Sequence, residues 1–260
     1  MTSSPASRSF QQEFADFWQF LKRPTLRRAA FSRLARQQRH AAWLPARWRP
    51  LSWDLADFSL GRIGAWVVFL WAINLLAFGP LASAVSTSTG SDSRLLDMQL
   101  SWFLVVVWAP VIEELTFRLW LRRPAWTLWI LPWVIGGIFY ATTTASILVV
   151  ALGLALTLMV MSARRVQWSW ALRRRFVQLF PLVFYISVLA FALTHLGNFT
   201  FSGTGLFMIL LVLPQLSSGL VLGWMRVRYG MMSAIALHAL FNAGPMALLA
   251  LAARYAPDLL

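Results

Sequence analysis

Long apolar runs dominate this chain of 260 residues. A helix of ~20 apolar residues is long enough to cross the hydrocarbon layer of a bilayer. A spanning segment must also pair its backbone N–H and C=O groups internally, which a helix does. The sequence therefore predicts an all-α fold, a polytopic transmembrane helical bundle of about seven spans, with six to eight as the range. The predicted spans are about 62–84, 95–120, 125–142, 144–162, 179–197, 205–225 and 231–252.

Charged residues are few and unevenly placed along the chain. They make up 12% of the sequence, against roughly 25% in an ordinary soluble domain. Although the net charge is +14, the Lys and Arg residues cluster before the first apolar run and in alternate loops, as cytoplasmic flanks do. This distribution predicts a cytoplasmic N-terminus and a lipid bilayer as partner, and it argues against a nucleic-acid partner.

Two parts of the chain differ in composition. Residues 1–60 form a basic, aromatic-rich segment that is cytoplasmic or interfacial, and residues 61–255 form the transmembrane helical domain, with its motif-bearing part at 95–252. Two interpretations of the N-terminal segment stay open, namely short amphipathic helices on anionic headgroups or a solvated tail. The absence of cysteine excludes disulfides and thiolate metal ligands.

A small set of ionisable side chains falls inside the predicted spans, where such groups are costly and indicate a functional site. The candidates are Glu113, Glu114, Arg118, His195 and His238, the last accompanied by Asn242. Glu114 and Arg118 are four positions apart, so they are predicted to pair on one helix face, which lowers the cost of burying both. Glu113 projects about 100° away from Glu114 and is the more available carboxylate.

The two histidines have companions at helical spacing. His238 and Asn242 share one helix face, and Phe191 lies one turn from His195. A desolvated carboxylate such as Glu113 suits general-base chemistry near neutral pH, and a nearby histidine can orient an attacking water. A second histidine and an asparagine amide can donate hydrogen bonds to a developing oxyanion. The set indicates attack of water on an amide carbonyl, without a serine or cysteine nucleophile.

Three motifs occur in order along the chain. EELTFR at 113–118 fits EExxxR, FALTH at 191–195 fits FxxxH, and HALFN at 238–242 fits HxxxN. The ordered set resembles the CPBP family, the CAAX-protease and bacteriocin-processing intramembrane proteases. The resemblance implies an endopeptidase that hydrolyses peptide bonds of membrane-anchored peptides or proteins. It also implies site roles: Glu113 as general base assisted by His195, His238 and Asn242 at the oxyanion, and Glu114, Arg118 and Phe191 in support.

The resemblance leaves the use of a metal open. Members of the family are named metalloproteases, and a divalent metal such as zinc would take Glu113, His195 and His238 as ligands. The alternative is a glutamate mechanism without a metal, because asparagine is a poor zinc ligand and no HExxH motif is present. The family and the missing targeting signals favour an integral protein of the bacterial inner membrane.

Glu113 and His195 are 82 positions apart, which leaves room for an added pair of spans at about 125–162. The mechanism needs both residues at one depth, whereas the predicted topology puts Glu113 in the cytoplasmic half and His195 toward the outer end of its span. Two other functions stay open: an inactive immunity or scaffold protein of the same fold, and a transporter with the carboxylates as proton relay. The sequence shows no inverted repeats, which disfavours the transporter.

Overall fold

A computed structural model describes the chain over residues 9–26, 59–94, 101–139, 143–164, 169–200 and 206–255. Within these residues, five helical stretches are long and apolar enough to cross a membrane: Leu60–Thr89, Thr144–Met161, Trp170–Asn198, Phe207–Tyr229 and Met231–Ala252. Many large apolar side chains on them, such as Leu76 and Leu182, are exposed, as lipid-facing residues are. The predicted all-α, polytopic membrane fold is confirmed.

The described part of the chain is almost entirely helical. The α-helices are α1 (Phe10–Lys22), α2 (Leu60–Ile73), α3 (Gly79–Thr89), α4 (Ala109–Phe117), α5 (Leu119–Arg122), α6 (Pro124–Phe139), α7 (Thr144–Arg164), α8 (Trp170–Thr194), α9 (Leu213–Tyr229) and α10 (Met231–Tyr255). π-Helices occupy Asn74–Phe78 and Leu104–Trp108, and 3-10 helices occupy His195–Asn198 and Leu206–Val212. β1 (Asp92–Ser93) pairs antiparallel with β2 (Phe199–Thr200).

Two of the predicted spans, 95–120 and 125–142, are not among the five stretches. The first is interrupted, because the π-helix Leu104–Trp108 precedes α4 and Arg118 departs from helical geometry at φ −121° and ψ −14°. In place of the second, the described part of α6 has 16 residues, fewer than the ~20 that a bilayer needs. The predicted count of seven spans is therefore not confirmed.

Two helices extend beyond the predicted spans because local polar groups satisfy their ends. At the end of α3, Thr89 Oγ1 donates to the carbonyl of Val85, and Gly90 closes the helix at φ 60°, a conformation that glycine adopts at low cost. At the start of α8, Ser169 Oγ accepts a hydrogen bond from the N–H of Leu172, as N-cap residues do.

The chain divides into two compact units, each built from segments that are far apart in sequence. The first unit comprises Met1–Ser59, Ile112–Ser187 and Gly223–Ala234. The second unit comprises Leu60–Val111, Val188–Leu222 and Ile235–Leu260.

In the first unit, the N-terminal helix α1 packs through one face. Phe17 stacks edge-on against Trp224 at 5.6 Å between ring centroids, and Phe20 does so against Phe184 at 4.9 Å. Oδ2 of Asp16 accepts hydrogen bonds from Trp224 Nε1 and from Arg228 Nε, each at 2.9 Å. α1 is thus joined to α8 and α9. Residues 1–8 and 27–58 of the predicted N-terminal segment lie outside the described residues.

α6 and α7 also pack closely in the first unit. A Cβ on Gly153 would lie 2.2 Å from Cζ3 of Trp133, so only glycine admits the indole there. Nε1 of the same indole donates to Thr157 Oγ1 at 2.9 Å. A glycine that leaves room for the ring and a threonine one turn later that accepts its hydrogen bond therefore hold this tryptophan in place.

In the second unit, α3 packs along the 3-10 helix Leu206–Val212. The short ladder places Asp92 opposite Thr200 and Ser93 opposite Phe199. Gly219 on α9 faces Phe191 of α8, where an added Cβ would meet Cδ1 of Phe191 at 3.1 Å. This close packing holds Phe191, a residue of the FxxxH motif, against α9.

Candidate functional site

The EExxxR motif lies on α4 and the turn that follows it. Nη1 of Arg118 donates to Oε1 of Glu114 at 2.9 Å, and both side chains are fully buried. The predicted ion pair is therefore present. Glu113 is the less buried of the two glutamates. Removing one partner of a buried ion pair is far more costly than removing both, so the burial of each of these side chains depends on the other.

The turn at Arg118 is also held through its backbone. The carbonyl of Phe117 accepts hydrogen bonds from Ser187 Oγ and from Trp120 Nε1. The carbonyl of Arg118 accepts one from Arg226 Nε at 3.2 Å. The carbonyl of Phe117 is the last one of α4, where carbonyls lack a partner in their own helix, and the side chains of Ser187 and Trp120 satisfy it. The motif arginine is thus fixed by both its side chain and its main chain.

His195 stands where α8 passes into a 3-10 helix. Its Nδ1 lies 2.8 Å from the carbonyl oxygen of Phe191. A carbonyl oxygen can only accept, so Nδ1 carries the hydrogen, and in the neutral imidazole Nε2 is the nitrogen with the lone pair. The backbone of α8 therefore selects a tautomer whose second nitrogen can accept a hydrogen from water.

Phe191 contacts both histidines of the motifs. Its ring centroid is 4.8 Å from that of His195 and 5.8 Å from that of His238, and both contacts are edge-on. Phe191 and His238 are buried, and His195 is partly buried. One aromatic ring thus sets the positions of two imidazoles that come from different helices.

Asn242 is held by a carbonyl of the π-helix Leu104–Trp108. Its Nδ2 donates to the carbonyl of Val105 at 3.0 Å. That carbonyl lacks a donor in its own helix, because the N–H of Ala109 bonds to Leu104 instead and Pro110 has no N–H. The amide nitrogen carries two hydrogens, so the contact with Val105 orients the amide and engages one of them.

The candidate residues fall in different units. Glu113, Glu114 and Arg118 belong to the first unit, and Phe191, His195, His238 and Asn242 belong to the second. Within the first unit, Glu114 and Arg118 are paired. Within the second, Phe191 brings the two histidine rings together. The approach of Glu113 to His195 at one depth stays a prediction.

Comparison with protein families gives one match. The family model described as type II CAAX prenyl endopeptidase Rce1-like matches residues 96–244, more than half of the chain. The chain belongs to the Rce1-like family. The match includes every residue of the three motifs and begins after α3. Comparisons with curated proteins and with solved structures gave no significant match.

The Rce1-like family match and the five apolar helices together show that this chain is an integral membrane protein of a protease family. The predicted metal ligands Glu113, His195 and His238 are divided between the two units, and the described residues of each unit do not gather into a metal centre. Among them, no group of three or more His, Asp and Glu side chains is placed so that it could hold a metal ion.

In each unit of this Rce1-like protein, some residues that contact the motif residues are not part of the motifs themselves. Val105 receives the Asn242 amide, and Ser187 and Arg226 hold the turn after α4. Only the contact of Asn242 with Val105 could have been anticipated in part from the sequence. Pro110, three residues before Glu113, indicates that a nearby carbonyl has lost its local donor. Nothing local identifies the side chain that replaces it.

Proposed function

We propose that this Rce1-like protein is an intramembrane endopeptidase that hydrolyses peptide bonds of membrane-associated peptides or proteins. The observation that carries the proposal is the family match, which includes Glu113, His195, His238 and Asn242 in one stretch of the chain. Peptide hydrolysis by activated water requires a base, a group that orients the water, and donors for the oxyanion. These four side chains have the chemistry for the three tasks.

Glu113 takes the part of general base in this proposal. Its neighbour Glu114 is committed to the buried pair with Arg118, and Glu113 projects from another side of the same helix. Glu113 accepts a proton from water as the water oxygen bonds to the carbonyl carbon. The pair of Glu114 and Arg118 fixes the helix that carries the base.

His195 orients the attacking water. Because Nδ1 donates to the carbonyl of Phe191, Nε2 accepts a hydrogen from the water. A water that donates one hydrogen to a carboxylate and the other to an imidazole points its lone pair at the substrate. Such fixed orientation is a major source of rate enhancement.

His238 and Asn242 stabilise the oxyanion. As water attacks, the carbonyl oxygen of the substrate becomes negatively charged and accepts hydrogen bonds from an N–H of His238 and from the second Nδ2 hydrogen of Asn242. The intermediate then collapses and the C–N bond breaks. Glu113 returns its proton to the leaving nitrogen, which releases one product with a new amine and one with a new carboxylic acid, which then loses its proton to solvent.

The proposed cellular setting is the bacterial inner membrane, with the N-terminus in the cytoplasm. It is supported by the basic residues, which alternate between loops as the positive-inside rule requires. A reporter that fluoresces only in the cytoplasm, fused before Met1, is expected to fluoresce. Activity of a periplasmic phosphatase at the same position would contradict this orientation.

Reconstitution in liposomes with a library of membrane-anchored peptides tests the proposal, with products identified by mass spectrometry. The native chain is expected to cleave members of the library. Glu113→Gln is expected to lower kcat by ~10²–10⁴-fold, the range for loss of a general base. His40→Ala is the control substitution, because His40 lies outside the matched residues, and it is expected to cleave at the native rate.

Each alternative function predicts a different result. If the native chain cleaves no peptide, an inactive immunity or scaffold protein is favoured. If the liposomes instead show proton-coupled uptake that depends on Glu113, the transporter is favoured. Cleavage by Glu113→Gln at the native rate would remove Glu113 from the mechanism while keeping the protease.

A further inference from the structure

α10 contains a proline one turn after the HxxxN motif. Pro245 has no N–H, so the carbonyl of Phe241, four residues earlier, does not receive the usual helical hydrogen bond. In a membrane-spanning helix, a carbonyl released in this way must be satisfied by another donor.

Trp71 on α2 supplies that donor. Its Nε1 donates to the carbonyl oxygen of Phe241 at 3.0 Å. Its ring also lies against Gly244, where an added Cβ would be 2.2 Å from Cζ2 of Trp71. Gly244 therefore admits the ring and Pro245 releases the carbonyl that the ring binds. We call Trp71, Phe241, Gly244 and Pro245 the Trp71 joint.

The Trp71 joint is next to Asn242 on the same turn of α10. Asn242 donates from its side chain to Val105, and Phe241 accepts through its backbone from Trp71. Both bonds have the same origin, since a proline releases a carbonyl and a side chain from another segment of the second unit binds it. The turn that carries Asn242 is thus fixed in two independent ways.

We infer that Trp71 is a positioning residue for Asn242: its indole N–H fixes the Phe241 carbonyl and so sets the direction of the neighbouring amide. The inference rests on the proposed function for the role of Asn242 at the oxyanion. Trp71 precedes the matched residues 96–244, so none of the three motifs identifies it. The first transmembrane stretch thereby contributes to the site.

Trp71→Phe removes the indole N–H and keeps an aromatic ring. The Phe241 carbonyl then needs another donor, and the turn with Asn242 moves. Because a displacement of about 1 Å can lower a rate ~10²-fold, kcat is expected to fall ~10–100-fold while KM stays within about twofold. Pro245→Ala supplies a backbone N–H four residues after Phe241, so the double variant Trp71→Phe/Pro245→Ala is expected to recover kcat.

A second measurement reports on Asn242 without cleavage. The chain has asparagine only at positions 74, 198 and 242, so protein labelled with ¹⁵N-asparagine gives three side-chain amide signals. Trp71→Phe is expected to shift the Asn242 signal and to leave the Asn198 signal in place. The double variant is expected to return the Asn242 signal to its native position.

Trp133→Phe is the matched control, because the Trp133 indole also donates one hydrogen bond, to Thr157 in the first unit. It is expected to change neither the Asn242 signal nor kcat. A native Asn242 signal in Trp71→Phe would overturn the inference, and so would a double variant that recovers neither quantity. If the native chain cleaves nothing, the proposed function fails and the Asn242 signal still decides the role of Trp71.

Discussion

Asn242 donates a hydrogen bond from Nδ2 to the carbonyl oxygen of Val105, at 3.0 Å and across 137 positions of sequence. The acceptor is available because the Ala109 N–H bonds to Leu104 and Pro110 has no N–H. Within an asparagine side chain, only the NH₂ group can donate a hydrogen bond to a carbonyl, because the amide oxygen is an acceptor. A π-helix and a proline therefore orient the amide that we assign to the oxyanion, which agrees with the frequent occurrence of π-helices at functional sites.

Pro110→Ala adds an N–H that can bond to the Val105 carbonyl. We expect Asn242 to lose its acceptor and cleavage to fall by about 10-fold or more, toward the ~10²-fold loss seen when an oxyanion donor is removed. Thermal stability in detergent should not fall, because alanine favours the helix. Pro132→Ala changes another helical proline, in α6, and serves as control. An equal loss of cleavage in both variants would contradict the role of Val105.

His195→Asn tests the roles of the two imidazole nitrogens separately. The asparagine amide can still donate toward the Phe191 carbonyl, but it has no counterpart of Nε2. We expect a folded protein whose kcat is lower by ~10²-fold or more. The variant should survive heating in detergent better than His195→Ala, which also loses the donor. Cleavage by His195→Asn at the native rate would show that Nε2 does not orient the water.

The buried pair of Glu114 and Arg118 predicts an asymmetric effect on stability. Arg118→Met leaves the Glu114 carboxylate buried without its partner, and we expect a loss of ~3–5 kcal/mol in the free energy of unfolding. Glu114→Leu/Arg118→Met removes both charges and should recover most of that loss. Unfolding in detergent by a chemical denaturant measures the free energy of unfolding of both variants. A double variant as unstable as Arg118→Met would contradict the prediction.

Asp16 is expected to hold α1 against α9. Its Oδ2 accepts from both Trp224 and Arg228, so Asp16→Ala should weaken the docking of α1 by ~1–3 kcal/mol. Hydrogen exchange should become faster in Phe10–Lys22. Gln19→Ala is the control, since Gln19 is exposed on the same helix. Unchanged exchange in Asp16→Ala would show that the aromatic contacts of Phe17 and Phe20 suffice.

Local spacing was enough to predict the pairing of Glu114 with Arg118. Four positions on one helix bring two side chains together whatever the rest of the chain does. The same spacing placed Phe191 beside His195, although it did not reveal that the Phe191 carbonyl selects the tautomer of His195. The packing of α1 was beyond such reasoning, because its partners Phe184, Trp224 and Arg228 are far away in sequence.

The sequence by itself determined that this chain crosses a membrane as helices and which side chains carry the protease motifs. The physical reason is that a lipid environment requires backbone pairing within each segment, and this pairing follows from local composition. Only the tertiary structure decided which groups satisfy the carbonyls that prolines release. Asn242 binds Val105 and Trp71 binds Phe241, across 137 and 170 positions. A proline in a helix predicts that a carbonyl needs another donor, but the packing of distant segments selects that donor.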